Sequence, residues 1–119
     1  MTVYVDDMKA SFGRMKMCHL IADTTAELLA MVDRIGVQRK WIQHPGTEEE
    51  HFDIALGKRD AAIAAGAVPI TWRQYGGMVH RRKITGSLGV PDDAEQFLRG
   101  MLQARRQPSP KTANGIRGG

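Results

Sequence analysis

The feature that most constrains the fold is an alternation of strand-like and helix-like segments. Residues 2–5 are β-branched and aromatic, which predicts a first strand that ends at Asp6 and Asp7. A helix, a strand, a helix, a strand and a last helix are predicted to follow. Such alternation favours a mostly parallel sheet with helices packed on it and right-handed crossovers. We therefore predict a small α/β fold with about three strands in the order β-α-β-α-β-α.

The first helix is the best-defined element. Thr24 and Glu27 have the Thr-x-x-Glu spacing of a capping box, in which both side chains satisfy free backbone N–H groups. Gly36 stands where a left-handed C-cap is favoured. The apolar residues at helical spacing between them are Leu28, Met31, Val32 and Ile35. Residues 8–22, which precede this helix, show no clean period and are predicted to form a long loop.

Shorter patterns predict the second and third strands and the second helix. Residues 37–43 alternate in polarity, which indicates a second strand. A second helix is predicted over residues 54–65, with Asp53 as a reasonable N-cap. Residues 68–72 are predicted as the third strand. Pro69 favours an edge position for this strand, because proline cannot donate to a ladder.

The last third of the chain has a different composition. Residues 73–90 are rich in glycine and basic residues, which predicts a mobile loop or a β-hairpin that extends the sheet. Pro91 is predicted to open the third helix, since proline suits the first helical turn.

The positive charge of the chain is confined to its end. The net charge is +4, but acidic and basic residues balance within residues 1–104. The excess comes from Arg105, Arg106, Lys111 and Arg117. We predict a single α/β domain over residues 1–104 and a basic disordered tail over residues 105–119. The tail could contact nucleic acid weakly, although a role in solubility is the simpler explanation.

No sequence feature indicates a membrane protein. The chain has no apolar run of about 18–20 residues, no visible signal peptide and a single cysteine, Cys18. A lone cysteine cannot form an internal disulfide, which fits a reducing compartment. We therefore expect a cytoplasmic protein with no membrane partner.

Polar residues are predicted to meet at one edge of the sheet, because ligands of open parallel sheets bind beyond the carboxyl ends of the strands. The residues placed there are Asp6, Asp7, His19, Asp23, His51, Asp53, Thr71 and Arg73. Carboxylates and imidazoles on one rim suit manganese, zinc or iron. The predicted metal ligands and catalytic residues are Asp6, His19, His51 and Asp53.

Basic residues beside this rim predict phosphate binding. Lys58 and Arg59 lie in the first turns of the predicted second helix, whose N-terminus favours anions, and Arg73 follows the third strand. A divalent metal would activate water and polarise a phosphoryl oxygen. The first hypothesis is therefore metal-assisted hydrolysis of a phosphoester or nucleotide.

Each candidate residue also has a structural explanation. Asp23 and Asp53 can act as helix caps, His19 can be a core histidine, and Trp41 and Trp72 are more typical of a core than of base-stacking platforms. Two further hypotheses therefore stay open. One is a non-catalytic nucleic-acid- or protein-binding module that uses residues 73–90 and the tail. The other is a purely structural domain.

An ordered series of motifs also resembles a known family. The motifs are Val3-Tyr4-Val5-Asp6, His19-Leu20, Ala22-Asp23-Thr24, Glu27-Leu28, Gly36, residues 39–43, His51-Phe52-Asp53, and Lys58-Arg59 through Ala61-Ala62-Ile63 to Gly66-Ala67. Over residues 2–73 they resemble the domain of unknown function 4031 family, which occurs in bacteria and their phages and has no established activity. The resemblance implies recurring polar positions at Asp6, His19, Asp23, His51, Asp53 and Arg59. It also implies a phage or mobile-element origin for the binding-module hypothesis. Met17-Cys18 departs from the aromatic residue that the family usually has before the histidine.

Overall fold

Five strands and four helices make up the part of the chain that the computed structural model describes. This part is residues 2–12 and 15–106, with only the backbone described for residues 10–12 and 101–106. The strands are β1 (Val3–Val5), β2 (Ala10–Phe12), β3 (Met15–Ala22), β4 (Phe52–Ala55) and β5 (Val68–Pro69). The helices are α1 (Thr25–Ile35), α2 (Leu56–Ala64), α3 (Trp72–Thr85) and α4 (Ala94–Arg106). Short 3-10 turns lie at Arg39–Trp41 and Pro91–Asp93. The predicted α/β class is confirmed.

The sheet is organised around β3, its longest described strand. β4 pairs antiparallel with one edge of β3. β1 and β2 pair antiparallel with the two halves of the other edge, so five strands occupy four positions. Among the described strands, the parallel pair is β1 with β5, and β5 forms an edge as Pro69 predicts. The sheet is therefore mixed, and the expectation of about three mostly parallel strands is corrected.

Three other segments also differ from expectation. Residues 8–22, expected as a loop, contain β2 and the whole of the central strand β3. Residues 37–43, expected as a strand, contain the turn Arg39–Trp41 and a single bridge between Gln43 and His51. Residues 73–90, expected as a loop or hairpin, lie mostly in α3. Residues 73–90 therefore do not form the loop that the binding-module hypothesis assumed, and the hypothesis itself stays a prediction.

Helices cover both faces of the sheet. On the first face, called here the α1–α2 face, Val5, Leu20 and Phe52 pack with residues of α1 and α2 in the larger core. On the opposite face, the α3–α4 face, Tyr4 and Ile21 pack with residues of α3 and α4 in a smaller core. The alternation of side chains along β1 and β3 produces this division, because successive residues of a strand point to opposite faces.

Both α1 and α3 have clear helix caps, but the glycines within α3 made only α1 predictable from the sequence. Thr24 accepts a hydrogen bond from the Glu27 backbone N–H, and Gly36 has the left-handed conformation (φ 79°), as predicted. The predicted capping box of α1 is only half formed, because the Glu27 carboxylate accepts from the Thr24 hydroxyl (2.8 Å). α3 begins with a complete capping box, formed by Thr71 and Gln74. The glycines within α3 are more typical of a loop than of a helix, which is why a loop was predicted. Gly77 is needed for packing, because a Cβ there would collide with the Ala94 carbonyl of α4.

Two neighbouring arginines of α3, Arg81 and Arg82, make structural contacts. Arg81 pairs with Asp93 at 2.7 Å. Arg82 donates to the carbonyl oxygens of Ala22 (2.9 Å) and Glu48 (2.8 and 3.1 Å), which ties α3 to the end of β3 and to the loop before β4. Burial lowers the pKa of Arg82, against the raising effect of nearby acidic groups such as Glu50.

The last described helix, α4, extends into the segment that was predicted as a disordered tail. α4 continues through Arg105 and Arg106, which were assigned to the tail, and the rest of the predicted disordered tail (107–119) lies outside the described residues. Within the described ranges, no helix is long and apolar enough to cross a membrane.

Candidate functional site

Two imidazoles and a carboxylate meet on the α3–α4 face of the sheet. His19 on β3 and Asp53 on β4 are cross-strand partners, so their side chains leave the sheet on the same face. His51 lies two residues before Asp53 and is held by its backbone bridge to Gln43. One ligand atom from each of the three residues lies within 4.8 Å of the others. We call His19, His51 and Asp53 the His–Asp cluster.

Asp6 lies behind the cluster and orients His19. Its side chain is fully buried. Oδ2 lies 2.6 Å from Nδ1 of His19, and Oδ1 accepts the backbone N–H groups of His19 (2.7 Å) and Met8 (3.2 Å). A carboxylate that receives these donors acts as an acceptor, so Nδ1 of His19 carries the proton. In the neutral ring, the lone pair is then on Nε2, which faces the cluster.

His51 is oriented in the same way by a backbone group. Its Nδ1 lies 2.6 Å from the carbonyl oxygen of Glu49. A carbonyl oxygen can only accept, so Nδ1 is the donor and Nε2 of the neutral ring carries the lone pair. This Nε2 lies 3.1 Å from Oδ1 of Asp53, and Nε2 of His19 lies 4.0 Å from the same oxygen. Three lone-pair atoms therefore face one another, an arrangement that needs a proton or a metal cation between them.

Burial and charge act in opposite directions on His19. Burial lowers its pKa, but the hydrogen bond to Asp6 and the charges of Asp6 and Asp53 raise it, and the net result is a pKa above the ordinary value. Tyr75 of α3 stacks on the His19 ring, with centroids 4.2 Å apart and planes within 9°. Burial, together with the acidic groups around it, raises the pKa of Tyr75, so its phenol stays protonated and neutral.

Two side chains around the cluster were not predicted. Tyr75 lies in the segment expected as a loop, and the Thr71-x-x-Gln74 capping-box spacing is the signal that could have placed it in the first turn of a helix. His44 is exposed in the loop before β4. Its ring centroid is 5.9 Å from that of His51, and its backbone has φ 49°, an uncommon conformation for a residue other than glycine. Two hydrogen bonds from Thr47 to the His44 carbonyl hold this turn in place.

The cluster forms on the face of the sheet and not at the ends of its strands. His19 and Asp53 lie within β3 and β4, and only Asp6 follows a strand end among the four predicted ligands. Asp53 is also not a helix cap: α2 has Ala55 at its N-cap, with no side-chain hydrogen bond. The expected rim is therefore replaced by an antiparallel cross-strand pair. Asp6 takes the place of an orienting residue and not of a ligand.

The predicted phosphate-binding residues separate in the structure. Arg59 contacts Asp6, the residue that holds His19, since its Nε donates to the Asp6 carbonyl at 2.9 Å. Lys58 donates to the Ile35 carbonyl at the end of α1, in the α1–α2 layer. Arg73 is exposed, with its guanidinium 5.2 Å from the centroid of the Trp72 ring.

The remaining polar candidates have local structural contacts. Asp23 accepts the Thr2 backbone N–H (2.8 Å), Asp7 accepts that of Trp72 (2.8 Å), and Thr71 caps α3. Trp72 and Trp41 are 49% and 59% exposed, so the expectation that they belong to a core is corrected.

A cleft of about 420 Å³ lies beside the loop that precedes β4 but contains none of the cluster residues. Its buried acid, Glu50, accepts hydrogen bonds from the Thr25 hydroxyl (2.5 Å) and the Gly46 N–H (2.9 Å). Because these groups are already satisfied by one another, we assign the cleft to the scaffold that holds His51.

The donor set of the cluster suits a divalent metal. Two imidazole nitrogens and one carboxylate oxygen are typical ligands of zinc, iron or manganese. Ligating histidines usually donate their other N–H to a carboxylate or a backbone carbonyl. His19 and His51 have these two kinds of partner, in Asp6 and the Glu49 carbonyl.

Comparison with known proteins places the site within a family. A family profile described as "Protein of unknown function (DUF4031)" matches residues 3–82. No curated protein and no solved structure shows significant similarity to the chain. The matched range includes the His–Asp cluster together with Asp6, Arg59 and Tyr75. Because the profile matches well over half of the 119 residues, the chain belongs to this family of unknown function, DUF4031.

Proposed function

We propose that the His–Asp cluster binds one divalent metal ion and that the protein hydrolyses a phosphoester. The observation that carries the proposal is the convergence of Nε2 of His19, Nε2 of His51 and Oδ1 of Asp53 within 4.8 Å. Both Nδ1 atoms have acceptors elsewhere, so the two lone pairs are directed to a common point. A cation is the species that best satisfies this arrangement.

The surrounding residues supply orientation and charge. Asp6 and the Glu49 carbonyl fix the two imidazoles in the tautomer that a metal requires. A metal bound here would lower the pKa of a water molecule and polarise a phosphoryl oxygen. Arg59 is positioned to receive phosphate. Its Nε is fixed on the Asp6 carbonyl, and its two terminal nitrogens have no partner among the described residues.

Metal binding is the first test. We expect about one zinc or manganese ion per chain, measured by elemental analysis and calorimetry on protein purified without chelator. Asp53→Asn should weaken binding strongly, because it removes a charged ligand from a side chain that is 44% exposed and contributes little to packing. His80→Ala, which removes a histidine outside the cluster, is the matched control. Wild-type protein that binds no metal, or Asp53→Asn protein that binds it equally well, would contradict the proposal.

Hydrolysis is the second test. Metal-loaded protein should release nitrophenol from p-nitrophenyl phosphate or its diester, and chelation or Asp53→Asn should abolish the reaction. Restoring the metal should restore the rate in the wild type but not in the variant. A metal-loaded protein that cleaves neither ester would leave a metal-binding domain without the proposed activity.

A further inference from the structure

Two consecutive residues connect the His–Asp cluster to a cationic and an aromatic side chain. The Asp6 carboxylate holds His19, and the Asp6 carbonyl accepts from Nε of Arg59 at 2.9 Å. The next residue, Asp7, accepts the backbone N–H of Trp72 at 2.8 Å. Adjacent Cα atoms are about 3.8 Å apart. The His19 imidazole, the Arg59 guanidinium and the Trp72 backbone are therefore all hydrogen-bonded to the two-residue segment Asp6–Asp7.

Trp72 is exposed although its backbone is firmly held. Its N–H is bound by Asp7, and it is the first residue of α3, directly after the capping box of Thr71 and Gln74. The side chain is nevertheless 49% exposed, and Arg73 lies 5.2 Å from its ring centroid. Trp72 thus presents a large aromatic surface with a nearby positive charge at a fixed position. Base-stacking sites combine these two properties.

α3 carries both Trp72 and the residue that contacts the His–Asp cluster, Tyr75. Trp72 and Tyr75 are three residues apart on α3, and side chains at this spacing are neighbours on a helix surface. Tyr75 stacks directly on His19. α3 therefore carries a tyrosine that contacts the His–Asp cluster and, about one helical turn away, the exposed indole of Trp72.

We propose that the ligand of this site is a nucleotide whose base stacks on Trp72 while its phosphate is held by Arg59 and the cluster. This inference rests on the proposed function, because it places the phosphate at the metal centre. It narrows the substrate class, since a simple phosphoester would gain nothing from the indole. The base is held by stacking, so all four bases are accepted.

Trp41 provides a matched control. It is also exposed (59%) and also has a cation over its ring, with Lys40 Nζ at 5.1 Å from the centroid. Its turn is tied to the other layer of the molecule, because Arg39 pairs with Asp33 of α1. Exposure and a nearby cation are thus common to both tryptophans, whereas the link to Asp6–Asp7 belongs to Trp72.

The test compares ligands that differ only by the base. Adenosine monophosphate and ribose 5-phosphate are titrated by calorimetry into zinc-loaded wild type, Trp72→Ala and Trp41→Ala, with metal content measured on each sample. Stacking contributes about 1–3 kcal/mol per base. Trp72→Ala should therefore weaken adenosine monophosphate about 5- to 150-fold and leave ribose 5-phosphate unchanged, while Trp41→Ala changes neither. A parallel titration with a short 5′-phosphorylated single strand distinguishes a free nucleotide from a strand end, because the tighter ligand identifies the source.

The outcomes separate this inference from the proposed function. Equal affinity of the two ligands for the wild type, equal behaviour of the two tryptophan variants, or no binding of either ligand would each overturn the inference. Each of these results is compatible with a metal centre that still cleaves p-nitrophenyl phosphate. The converse result is a wild-type protein that binds no metal but in which adenosine monophosphate still quenches Trp72 fluorescence. That result would support the base platform and overturn the metal centre.

Discussion

The two faces of the sheet use the same strands for different purposes. On the α1–α2 face, Leu20 of β3 and Phe52 of β4 are completely buried in the larger core. Their immediate neighbours, His19 and Asp53, point to the other face and form the His–Asp cluster. A two-residue period thus places the larger core on one face and the His–Asp cluster on the other. Residues that provide rigidity are adjacent in sequence to those that the site requires.

The α3–α4 face is itself divided. Tyr4 and Ile21 are covered by α3 and α4 in a small core, whereas His19 lies at the margin of that core beneath Tyr75. Asp6 is polar and fully buried between the two parts. Burying a carboxylate is costly unless it is hydrogen-bonded, and here three donors approach it. The cost of this arrangement indicates a role in orienting His19, which packing alone would not require.

The largest effect is expected when the two faces are compared through neighbouring residues of β4. Phe52→Ala should lower the free energy of unfolding by about 3–5 kcal/mol, because it opens a cavity in the larger core. Asp53→Asn should change it by roughly 0.5 kcal/mol or less, as for other exposed side chains, but should weaken metal binding. Chemical denaturation and metal titration of both variants check the division. Similar stability losses would show that the two faces are not separable.

Asp6 tests whether a buried residue acts on the site through another side chain. Asp6→Asn should weaken metal binding about 10- to 100-fold, the usual cost of removing a partner that orients a ligating histidine. Asp7→Asn is the control, because Asp7 contacts Trp72 and not His19. Circular dichroism of the variant verifies its fold. If folded Asp6→Asn protein binds metal as tightly as Asp7→Asn protein, Asp6 has only a structural role.

Local signals made part of this structure predictable from sequence. α1 was predicted with both ends because its cap at Thr24, its apolar spacing and its terminal Gly36 all lie within the helix itself. β3 was missed because its pattern is completed by partners far away in the chain, in β1 and β4. Asp53 was assigned as a cap because it precedes a helix, yet strand pairing with His19 determines its conformation. Long-range pairing therefore prevailed over a local propensity.

The site residues were selected by a premise about the sheet that the structure corrects. A rim of parallel strand ends was expected, but His19 and Asp53 meet as partners in antiparallel strands. The residue types were informative because imidazole nitrogens and carboxylate oxygens are the usual protein ligands of zinc, iron and manganese. Their division into ligand and orienting residue was not accessible, since it depends on the burial of Asp6 and the direction of one hydrogen bond. The place of Tyr75 in the site was missed for a further reason. The glycines that allow α3 to pack against α4 are typical of loops, so a loop was predicted there.

The helix caps give a smaller and more even comparison of the two layers. Thr24 caps α1 on one face and Thr71 caps α3 on the other. Thr24→Ala and Thr71→Ala should each lower the free energy of unfolding by about 1 kcal/mol. Only Thr71→Ala should also weaken nucleotide binding, because the first turn of α3 carries Trp72. Thermal unfolding and calorimetry provide the two readouts, and a binding loss in Thr24→Ala would contradict the separation of the layers.

The smallest effect concerns the protonation of His19 in metal-free protein. Its folded pKa lies above the unfolded value of about 6.5, because Asp6 and Asp53 outweigh the effect of burial. The resulting stabilisation should be complete below about pH 6.5 and should be lost as the pH rises through the folded pKa. A nuclear magnetic resonance titration of the ring should show this raised pKa, and Asp53→Asn should lower it. Because a proton and a metal compete for Nε2, metal binding should weaken as the pH falls through the same range. A His19 pKa at or below the ordinary value would mean that the Asp6 contact does not persist in solution. The orientation of His19 on which the His–Asp cluster depends would then be lost.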